Sequence, residues 1–118
     1  MLKHKLYTIV RKENNAVRIR LNPESAILKG HFPGNPITPG VCQVGIVGEV
    51  AGDICGVELS LIEVKILKFI EILRPSDGDV AVVFDKLDQS DNTVVAKGTV
   101  MSEGRVFTKF SLVFGKEL

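Results

Sequence analysis

Hydrophobic and polar residues alternate along the first part of the chain in the way that is typical of β-strands. Between Leu6 and Leu21, two apolar runs are separated by a polar asparagine pair at residues 14–15, which is a hairpin signal. In the second run, AVRIRL, apolar residues alternate with two arginines, as expected for a sheet with one face in water. The stretch NPES at residues 22–25 then predicts a turn, followed by a short helical stretch over residues 26–28.

The pattern becomes helical after Pro39. Apolar residues recur at spacings of three and four, and a proline suits the first turn of a helix because it has no N–H that needs a partner. The loop over residues 30–40 holds three prolines and three glycines, which excludes a long helix or a central strand there. We therefore predict a helix from about Gly40 to Asp53, ended near Gly56. Its predicted buried face consists of Val41, Val44, Val47, Ala51 and Ile54.

A stripe of small residues occupies another face of this predicted helix. Gly45, Gly48 and Gly52 lie along it, with Glu49 among them. Each glycine in a helix interior costs about 1 kcal/mol relative to alanine. The stripe therefore indicates that something approaches the helix backbone closely, and a second helix, a sheet or a ligand would each account for it.

The rest of the chain is predicted to form four strands. Their apolar and β-branched runs are separated by the segments RPSDGD, DQSDN and SEG, which are rich in turn residues. A hairpin, one central helix and four further antiparallel strands give an α+β domain in which a curved antiparallel sheet wraps around the helix. We expect a single domain over residues 1–118. The four predicted strands cover residues 59–73, 79–87, 93–101 and 105–114.

Composition narrows the class of partner. Fifteen basic against fourteen acidic residues give a net charge of +1, which provides no electrostatic footprint for nucleic acid or an anionic membrane. No apolar run is long enough to span a membrane and the first residues lack signal-peptide features, so we expect a cytoplasmic protein. Cys42 and Cys55 lack the spacing of a zinc site, and we expect two reduced thiols that act as small apolar fillers.

The segment before the predicted helix carries a dense motif, which reads His31-Phe32-Pro33-Gly34-x-Pro36-x-x-Pro39-Gly40-Val41. Further along the chain lie the pairs Lys68-Phe69 and Arg74-Pro75 and the turn Gly78-Asp79. The motif resembles the signature of the β-hydroxyacyl-acyl carrier protein dehydratases of the hotdog-fold superfamily, most clearly between Gly30 and Val41. With the two pairs and the turn, a weaker likeness extends over residues 16–118.

This resemblance implies a hotdog fold with active sites at a dimer interface. The implied substrate is a (3R)-3-hydroxyacyl thioester on the phosphopantetheine arm of acyl carrier protein, dehydrated to the trans-2-enoyl thioester in fatty-acid or related lipid biosynthesis. No metal or redox cofactor is implied. An exposed sheet edge makes a homodimer the default expectation, with a higher oligomer as an alternative. Lys65, Lys68 and Arg74 are candidates for a docking patch for acyl carrier protein, although ordinary solvated strand charges explain them equally well.

The resemblance also implies roles for residues of the motif. His31 is the candidate base that removes the proton next to the thioester carbonyl, since a histidine has a pKa near neutral pH. The N–H of Gly40, at a helix N-terminus, is the candidate donor to the thioester oxygen. The alternative for His31 is a loop histidine that donates a hydrogen bond to a backbone carbonyl and does no chemistry. His4 is expected to be solvated. The predicted substrate-binding residues are Phe32, Pro33, Gly34, Pro39, Val41, Gln43 and Gly45.

The chain departs from the family pattern at one position. The family carries an aspartate or glutamate fourteen residues after the histidine, where this chain has Gly45. Glu49 lies on the same helix face one turn later, so we predict it as a displaced general acid. The alternative is that Glu49 forms an ion pair or hydrogen bonds across the dimer, or reaches solvent at a helix end. Gln43 is a weaker candidate, because it can orient a hydroxyl or water and cannot donate a proton at neutral pH.

Three functions of different classes are consistent with these residues. The first is an active dehydratase that uses His31, Gly40 and a displaced acid such as Glu49. The second is an acyl thioesterase that directs water to the thioester. The third is a non-catalytic acyl-binding or partner subunit, including a heterodimer in which the partner supplies the acid.

Overall fold

The computed structural model describes residues 2–29 and 37–117. After a turn at residues 2–6, the chain forms six strands, one long helix, one short helix and a single 3-10 turn. The strands are β1 (Tyr7–Lys12), β2 (Ala16–Leu21), β3 (Leu59–Phe69), β4 (Val80–Gln89), β5 (Thr93–Ser102) and β6 (Arg105–Lys116). The helices are α1 (Ala26–Lys29) and α2 (Gly40–Cys55), and the 3-10 turn is Pro75–Asp77.

All six strands form one antiparallel sheet in the order β1-β2-β4-β5-β6-β3. The predicted hairpin of β1 and β2 is confirmed, and so is the sheet with one long central helix. The chain crosses from β2 through α2 to the far edge, where β3 pairs with β6, and then returns to place β4 beside β2. The two edges of the sheet are therefore β1 and β3, which flank the long helix from opposite sides.

Strand β3 is shorter than the apolar run predicted over residues 59–73. It ends at Phe69 because the N–H groups of Ile70 and Glu71 both donate to the carbonyl of Phe107, which breaks the strand register. The last predicted residue, Leu73, is instead buried, and its carbonyl accepts a hydrogen bond of 2.7 Å from the N–H of Thr38. The segment after β3 therefore supports the start of α2.

The buried face of α2 differs from the predicted one. Val47 and Ala51 are buried as predicted, whereas Val41 is 76% exposed and Ile54 is 41% exposed. These two residues lie in the first and last turns of the helix, where fewer neighbours cover it. Because the curved sheet wraps around the middle turns, the buried set also includes residues outside the predicted stripe: Cys42, Ile46 and Val50.

The glycine stripe is explained by neighbours from three parts of the chain. A Cβ atom at Gly48 would lie 3.0 Å from the ring of Phe114 on β6. A Cβ atom at Gly52 would lie 2.7 Å from the carbonyl oxygen of Val57, where the chain turns back after Gly56. The third neighbour is the side chain of Leu2, against Gly45. Of the three explanations considered, the sheet accounts for Gly48 through Phe114, whereas Gly52 and Gly45 are approached by a turn and by the N-terminal residues, which were not among them.

Both cysteines are free thiols, with Cys42 buried and Cys55 half-buried. Burial raises the pKa of each thiol, which keeps the thiol protonated and unreactive. Both residues thus have the environment of apolar fillers. Within the described ranges, no helix is both long and apolar enough to cross a membrane.

Candidate functional site

The amino end of α2 is built around Pro39. The carbonyl of Pro39 accepts hydrogen bonds from the N–H groups of Cys42 (3.0 Å) and Gln43 (3.1 Å), which starts the helix. Pro39 has no side-chain group that caps the helix. The N–H groups of Gly40 and Val41 therefore have no acceptor among the described residues. Two donors at the positive end of a helix, without an acceptor in residues 2–29 and 37–117, are suited to bind an oxygen that carries negative charge.

Gln43 joins this helix start to the sheet. Its side-chain Nε2 donates to the carbonyl of Thr38 at 3.2 Å, and its Oε1 accepts a hydrogen bond from the hydroxyl of Thr108 on β6. Gln43 and Thr108 are both buried. Because both ends of the amide are engaged inside the protein, Gln43 holds the backbone in place. The second N–H of its Nε2 has no acceptor among the described residues, and the predicted role of Gln43 in orienting a hydroxyl or water stays a prediction.

A pocket of about 420 Å³ opens beside the helix start. The ring of Phe69, which is 51% exposed, lies over Gly40, so that a Cβ atom at position 40 would be 2.5 Å from the ring edge. Only glycine at this position lets an aromatic ring or a ligand approach the backbone so closely. The described residues that line the pocket are Ile37, Thr38, Pro39, Gly40, Gln43 and residues 69–72.

The Thr38 hydroxyl is a polar group with unused hydrogen-bonding capacity. The residue is only 4% exposed, and within residues 2–29 and 37–117 its Oγ1 has no hydrogen-bond partner. Buried hydroxyls normally have a partner, since an unpaired one costs free energy. The Thr38 hydroxyl is therefore a buried polar group beside the pocket that has no hydrogen-bond partner among the described residues.

The predicted site residues are only partly covered by the structure. His31, Phe32, Pro33 and Gly34 lie outside the described residues, so their predicted roles stay predictions. Pro39 and Gly40 line the pocket at the helix start, and Val41 next to them is exposed. The structure thus brings together the carboxyl-terminal half of the predicted motif at one pocket.

Glu49 has a different setting, away from that pocket. Its carboxylate accepts hydrogen bonds from the N–H of Leu2 (2.7 Å), the N–H of Lys3 (3.0 Å) and the hydroxyl of Tyr7 (3.0 Å). Burial, followed by the nearby Glu49 charge, raises the pKa of Tyr7, so this phenol remains a donor. These contacts favour a structural role for Glu49, within one chain and not across a dimer as the alternative had it. Its role as a general acid remains an untested prediction.

Gly45 lies next to this carboxylate and is covered by the N-terminal turn. A Cβ atom at position 45 would lie 2.8 Å from Cδ1 of Leu2. Beyond Leu2, a groove of about 700 Å³ follows the glycine stripe between β1 on one side and the start of β3 on the other. Gly45 and Glu49 line this groove, whereas Gly40 and Gln43 line the pocket at the helix start.

The comparisons with known proteins agree with this geometry. A family model described as ApeI dehydratase, ApeI-like, matches residues 8–105, which is most of the chain. The chain belongs to the ApeI-like dehydratase family. It is also 31% identical over 105 residues to a 3-hydroxyacyl-[acyl-carrier-protein] dehydratase FabZ from Latilactobacillus sakei, covering 82% of this chain and 74% of that protein.

Solved structures show that this ApeI-like chain has a hotdog fold. One is the dehydratase heterocomplex ApeI:P from Xenorhabdus doucetiae, with 18% identity, a TM-score of 0.62 and coverage of 96% of this chain and 99% of that chain. Another is a thioesterase from Haemophilus influenzae, with 14% identity, a TM-score of 0.67 and coverage of 98% and 81%. At these identities the likeness shows the fold alone, which dehydratases and thioesterases share.

Several residues in and around the candidate site were not identified from the sequence. Thr38 lies inside the motif, but a threonine before a proline is too common to stand out. Phe69 was singled out only as part of the Lys68-Phe69 pair, and its contact with Gly40 depends on how β3 packs beside α2. Leu2 and Tyr7 reach α2 across more than forty residues of sequence, as the partners of Glu49. The local sequence pattern gives no indication of contacts between residues so far apart in the chain.

Proposed function

We propose that this ApeI-like chain dehydrates (3R)-3-hydroxyacyl thioesters, carried on the phosphopantetheine arm of acyl carrier protein, to trans-2-enoyl thioesters. The observation that carries the proposal is the pocket at the amino end of α2, where the N–H groups of Gly40 and Val41 have no acceptor among the described residues. The FabZ relative acts on 3-hydroxyacyl groups of acyl carrier protein, as its name states, and this supports the substrate class. The proposed setting is fatty-acid or related lipid biosynthesis.

In the proposed reaction, His31 removes the proton from the carbon next to the thioester carbonyl. Negative charge then develops on the thioester oxygen, and the N–H of Gly40 donates a hydrogen bond to it. The positive end of α2 favours this charge further. The electron pair left by the proton forms the new double bond as the 3-hydroxyl leaves with a proton as water. These steps need no metal or redox cofactor.

The source of the proton for the leaving hydroxyl is the open part of this mechanism. Helix α2 is described throughout, and its only acidic side chains are Glu49 and Asp53. Glu49 is bound to the N-terminal turn, and Asp53 forms an ion pair with Lys12. Gly45 has no side chain, and Gln43 is engaged at both ends. In a one-base version, the His31 imidazolium returns the proton it has taken to the hydroxyl.

A second candidate function follows from this missing acid. The chain is similar in fold to a dehydratase that is described as a heterocomplex, ApeI:P. We infer as the alternative that this chain forms a heteromeric hotdog assembly in which a partner subunit supplies the carboxyl group. In that case the chain alone binds the thioester without turnover, and dehydration requires both subunits.

Edge strand β3 is the proposed contact with another subunit. A long apolar edge strand exposes unpaired backbone groups and invites a second strand to pair with it. The proposed default is a homodimer through β3, and a related hotdog chain is the heteromeric option. Lys65 and Lys68 lie exposed on the same strand, where they are available to an acidic acyl carrier protein. The exposed apolar residues of β3 and the following segment are Leu61, Ile62, Val64, Ile66, Phe69, Ile70 and Ile72.

The decisive experiment is mass spectrometry of 3-hydroxyacyl groups on acyl carrier protein after incubation with the pure chain, over several acyl lengths. Loss of one water per acyl group is the expected result. His31→Ala is expected to lower this rate by about 10²- to 10⁴-fold while the unfolding temperature stays near that of the wild type. An unchanged rate in His31→Ala would rule out the base assignment.

Two other outcomes separate the alternatives. Release of free acyl acid would identify a thioesterase, the activity that the Haemophilus influenzae structure is described as having. An unchanged substrate at every length, together with measurable binding, would favour the heteromeric subunit. The same assay repeated with a co-expressed hotdog partner would then have to show loss of water, or that alternative fails as well.

A further inference from the structure

The N-terminal turn, residues 2–6, folds back on itself before β1. The N–H groups of Lys5 (3.0 Å) and Leu6 (2.7 Å) both donate to the carbonyl of Leu2. His4 takes a positive φ of 69°, which is uncommon for a residue other than glycine and closes the turn tightly. Leu6 is fully buried and anchors the end of the turn in the core. The N-terminal turn is therefore a defined structural element, held by hydrogen bonds and by the buried side chain of Leu6.

Glu49 connects this turn to α2. Its two carboxylate oxygens accept both of the backbone N–H groups at the start of the turn, from Leu2 and Lys3, in addition to the hydroxyl of Tyr7. Hydrogen bonds to a charged acceptor are among the stronger ones in proteins. The contact links residues that are 46 and 47 positions apart in the chain. No other acidic side chain of α2 makes such a contact, since Asp53 pairs with the Lys12 side chain.

The attachment of the N-terminal turn to Glu49 also determines what lies next to Gly45. With the turn held by Glu49, the Leu2 side chain lies over Gly45, and its Cδ1 atom is 2.8 Å from where a Cβ atom would be. Leu2 thus takes the space that any side chain at position 45 would use. The loss of a side chain at position 45 and the docking of the turn are parts of one arrangement.

We propose that Glu49 is a positioning residue that holds the N-terminal turn on α2, and that Leu2 forms an apolar wall of the groove along Gly45, where the acyl chain of the substrate lies. The wall rests on the proposed function, which places the thioester at the helix start and leaves this groove for the acyl chain. An apolar wall replaces the carboxyl group that the resemblance leads one to expect. It limits the space beside the acyl chain, so Leu2 acts as a specificity-determining residue.

The attachment is tested by hydrogen exchange measured by mass spectrometry on the full chain. Glu49→Gln is expected to speed exchange of the peptide that contains residues 2–7 by about tenfold or more, because the charged acceptor is lost. The matched control is Asp53→Asn, one turn further along the same helix, which should leave this peptide unchanged. Unchanged exchange in Glu49→Gln would overturn the positioning role.

The wall is tested by the ratio of dehydration rates, kcat/KM, for a longer and a shorter acyl chain. Leu2→Ala is expected to shift this ratio toward the longer or bulkier chain by about tenfold, since removing apolar atoms from a pocket wall has effects of this order. Glu49→Gln should shift the ratio in the same direction, and the double variant should shift it no further than Leu2→Ala alone. A loss of stability by itself would lower both rates equally and leave the ratio unchanged.

A general-acid role for Glu49 gives a different pattern. Glu49→Gln would then lower turnover for every chain length and remove one limb of the pH profile, whereas Leu2→Ala would leave that profile intact. That result, or an unchanged ratio in Leu2→Ala, would overturn the proposal. If the wild type shows no dehydration, the proposed function fails. NMR then tests separately whether Leu2 contacts a bound acyl chain. Absence of a shift in the Leu2 methyl signals on adding a 3-hydroxyacyl pantetheine thioester would overturn the wall.

Discussion

The amino end of α2 and the middle of the same helix use their hydrogen-bonding groups in opposite ways. At the amino end, the N–H groups of Gly40 and Val41 have no acceptor and the hydroxyl of Thr38 has no partner among the described residues. In the middle, Glu49 accepts three hydrogen bonds from the N-terminal turn and Tyr7. Unpaired groups cost free energy unless a ligand uses them. The groups at the amino end are therefore the ones that the proposed function assigns to the substrate.

The glycines of α2 also differ between the amino end of the helix and the rest of it. Gly40 faces the half-exposed ring of Phe69 at an open pocket, whereas Gly52 faces the backbone of Val57. A ring on the surface can move to admit a substrate. A backbone carbonyl inside a tight turn cannot. Similar residue types thus serve access at one end and packing at the other.

The largest expected effect is on turnover at the amino end. Gly40→Ala keeps the N–H but adds a Cβ atom 2.5 Å from the Phe69 ring, at the pocket where the proposed function places the thioester. We expect dehydration to fall by about 10²-fold, because the Cβ atom would hold the thioester oxygen away from this N–H, with the effect of losing an oxyanion donor. Rate measurements on acyl carrier protein substrates check this. Adding Phe69→Ala should not restore the rate, and full restoration would show that the ring, not substrate access, limits the variant.

The next effect concerns stability in the carboxyl-terminal half of the helix. Gly52→Ala would place a Cβ atom 2.7 Å from the carbonyl oxygen of Val57, so the turn must shift. We expect a net loss of about 2 kcal/mol in the free energy of unfolding, despite the better helix propensity of alanine. Urea denaturation measures it. Gly45→Ala is the matched control, expected to stay within about 1 kcal/mol of the wild type because the flexible end of Leu2 can move aside.

A comparable loss is expected where the helix start is joined to the sheet. Gln43→Met leaves the Thr108 hydroxyl and the Thr38 carbonyl without their partner in a buried place. The expected loss in unfolding free energy is about 2 kcal/mol. In the double variant with Thr108→Val, about 1 kcal/mol should be regained, because the stranded hydroxyl is removed too. Strictly additive losses would contradict the coupling.

The smallest effect is the pH dependence of the ion pair between Lys12 and Asp53. The hydrogen bond from Lys12 lowers the pKa of Asp53 below the ordinary aspartate value. A lowered pKa in the folded state means that the stabilisation is present above about pH 4, the unfolded value, and is lost as the pH falls through the folded pKa. Asp53→Asn should cost a few tenths of a kcal/mol at pH 7 because the pair is exposed. The difference from wild type should vanish near pH 2 in thermal unfolding, and a cost that persists there would point to packing.

Much of the fold was predicted correctly from local sequence pattern. Where these predictions were wrong, the reasons are physical. The period-two runs correctly predicted the β1–β2 hairpin, and the spacing of three and four correctly predicted α2. The strand predicted over residues 59–73 was too long, since the last four residues, three of them apolar, look like strand but pair differently. The exposure of Val41 and Ile54 could not be predicted, because periodicity does not show where the sheet stops covering the helix.

The sequence by itself determined an α+β domain with an antiparallel sheet around one long helix, because patterns of period, proline and glycine are local and readable without coordinates. The resemblance of its motif implied the hotdog fold and the dehydratase family, which the comparisons show, and a site at the start of α2, which stays a prediction. Only the tertiary structure decided what each helix residue contacts. Glu49 and Gln43 are suited to chemistry by type, yet their partners come from residues 2–7 and from β6, at large sequence separation. Hydrogen bonds made by such distant partners determine whether a polar side chain is free to react, and no local pattern encodes them.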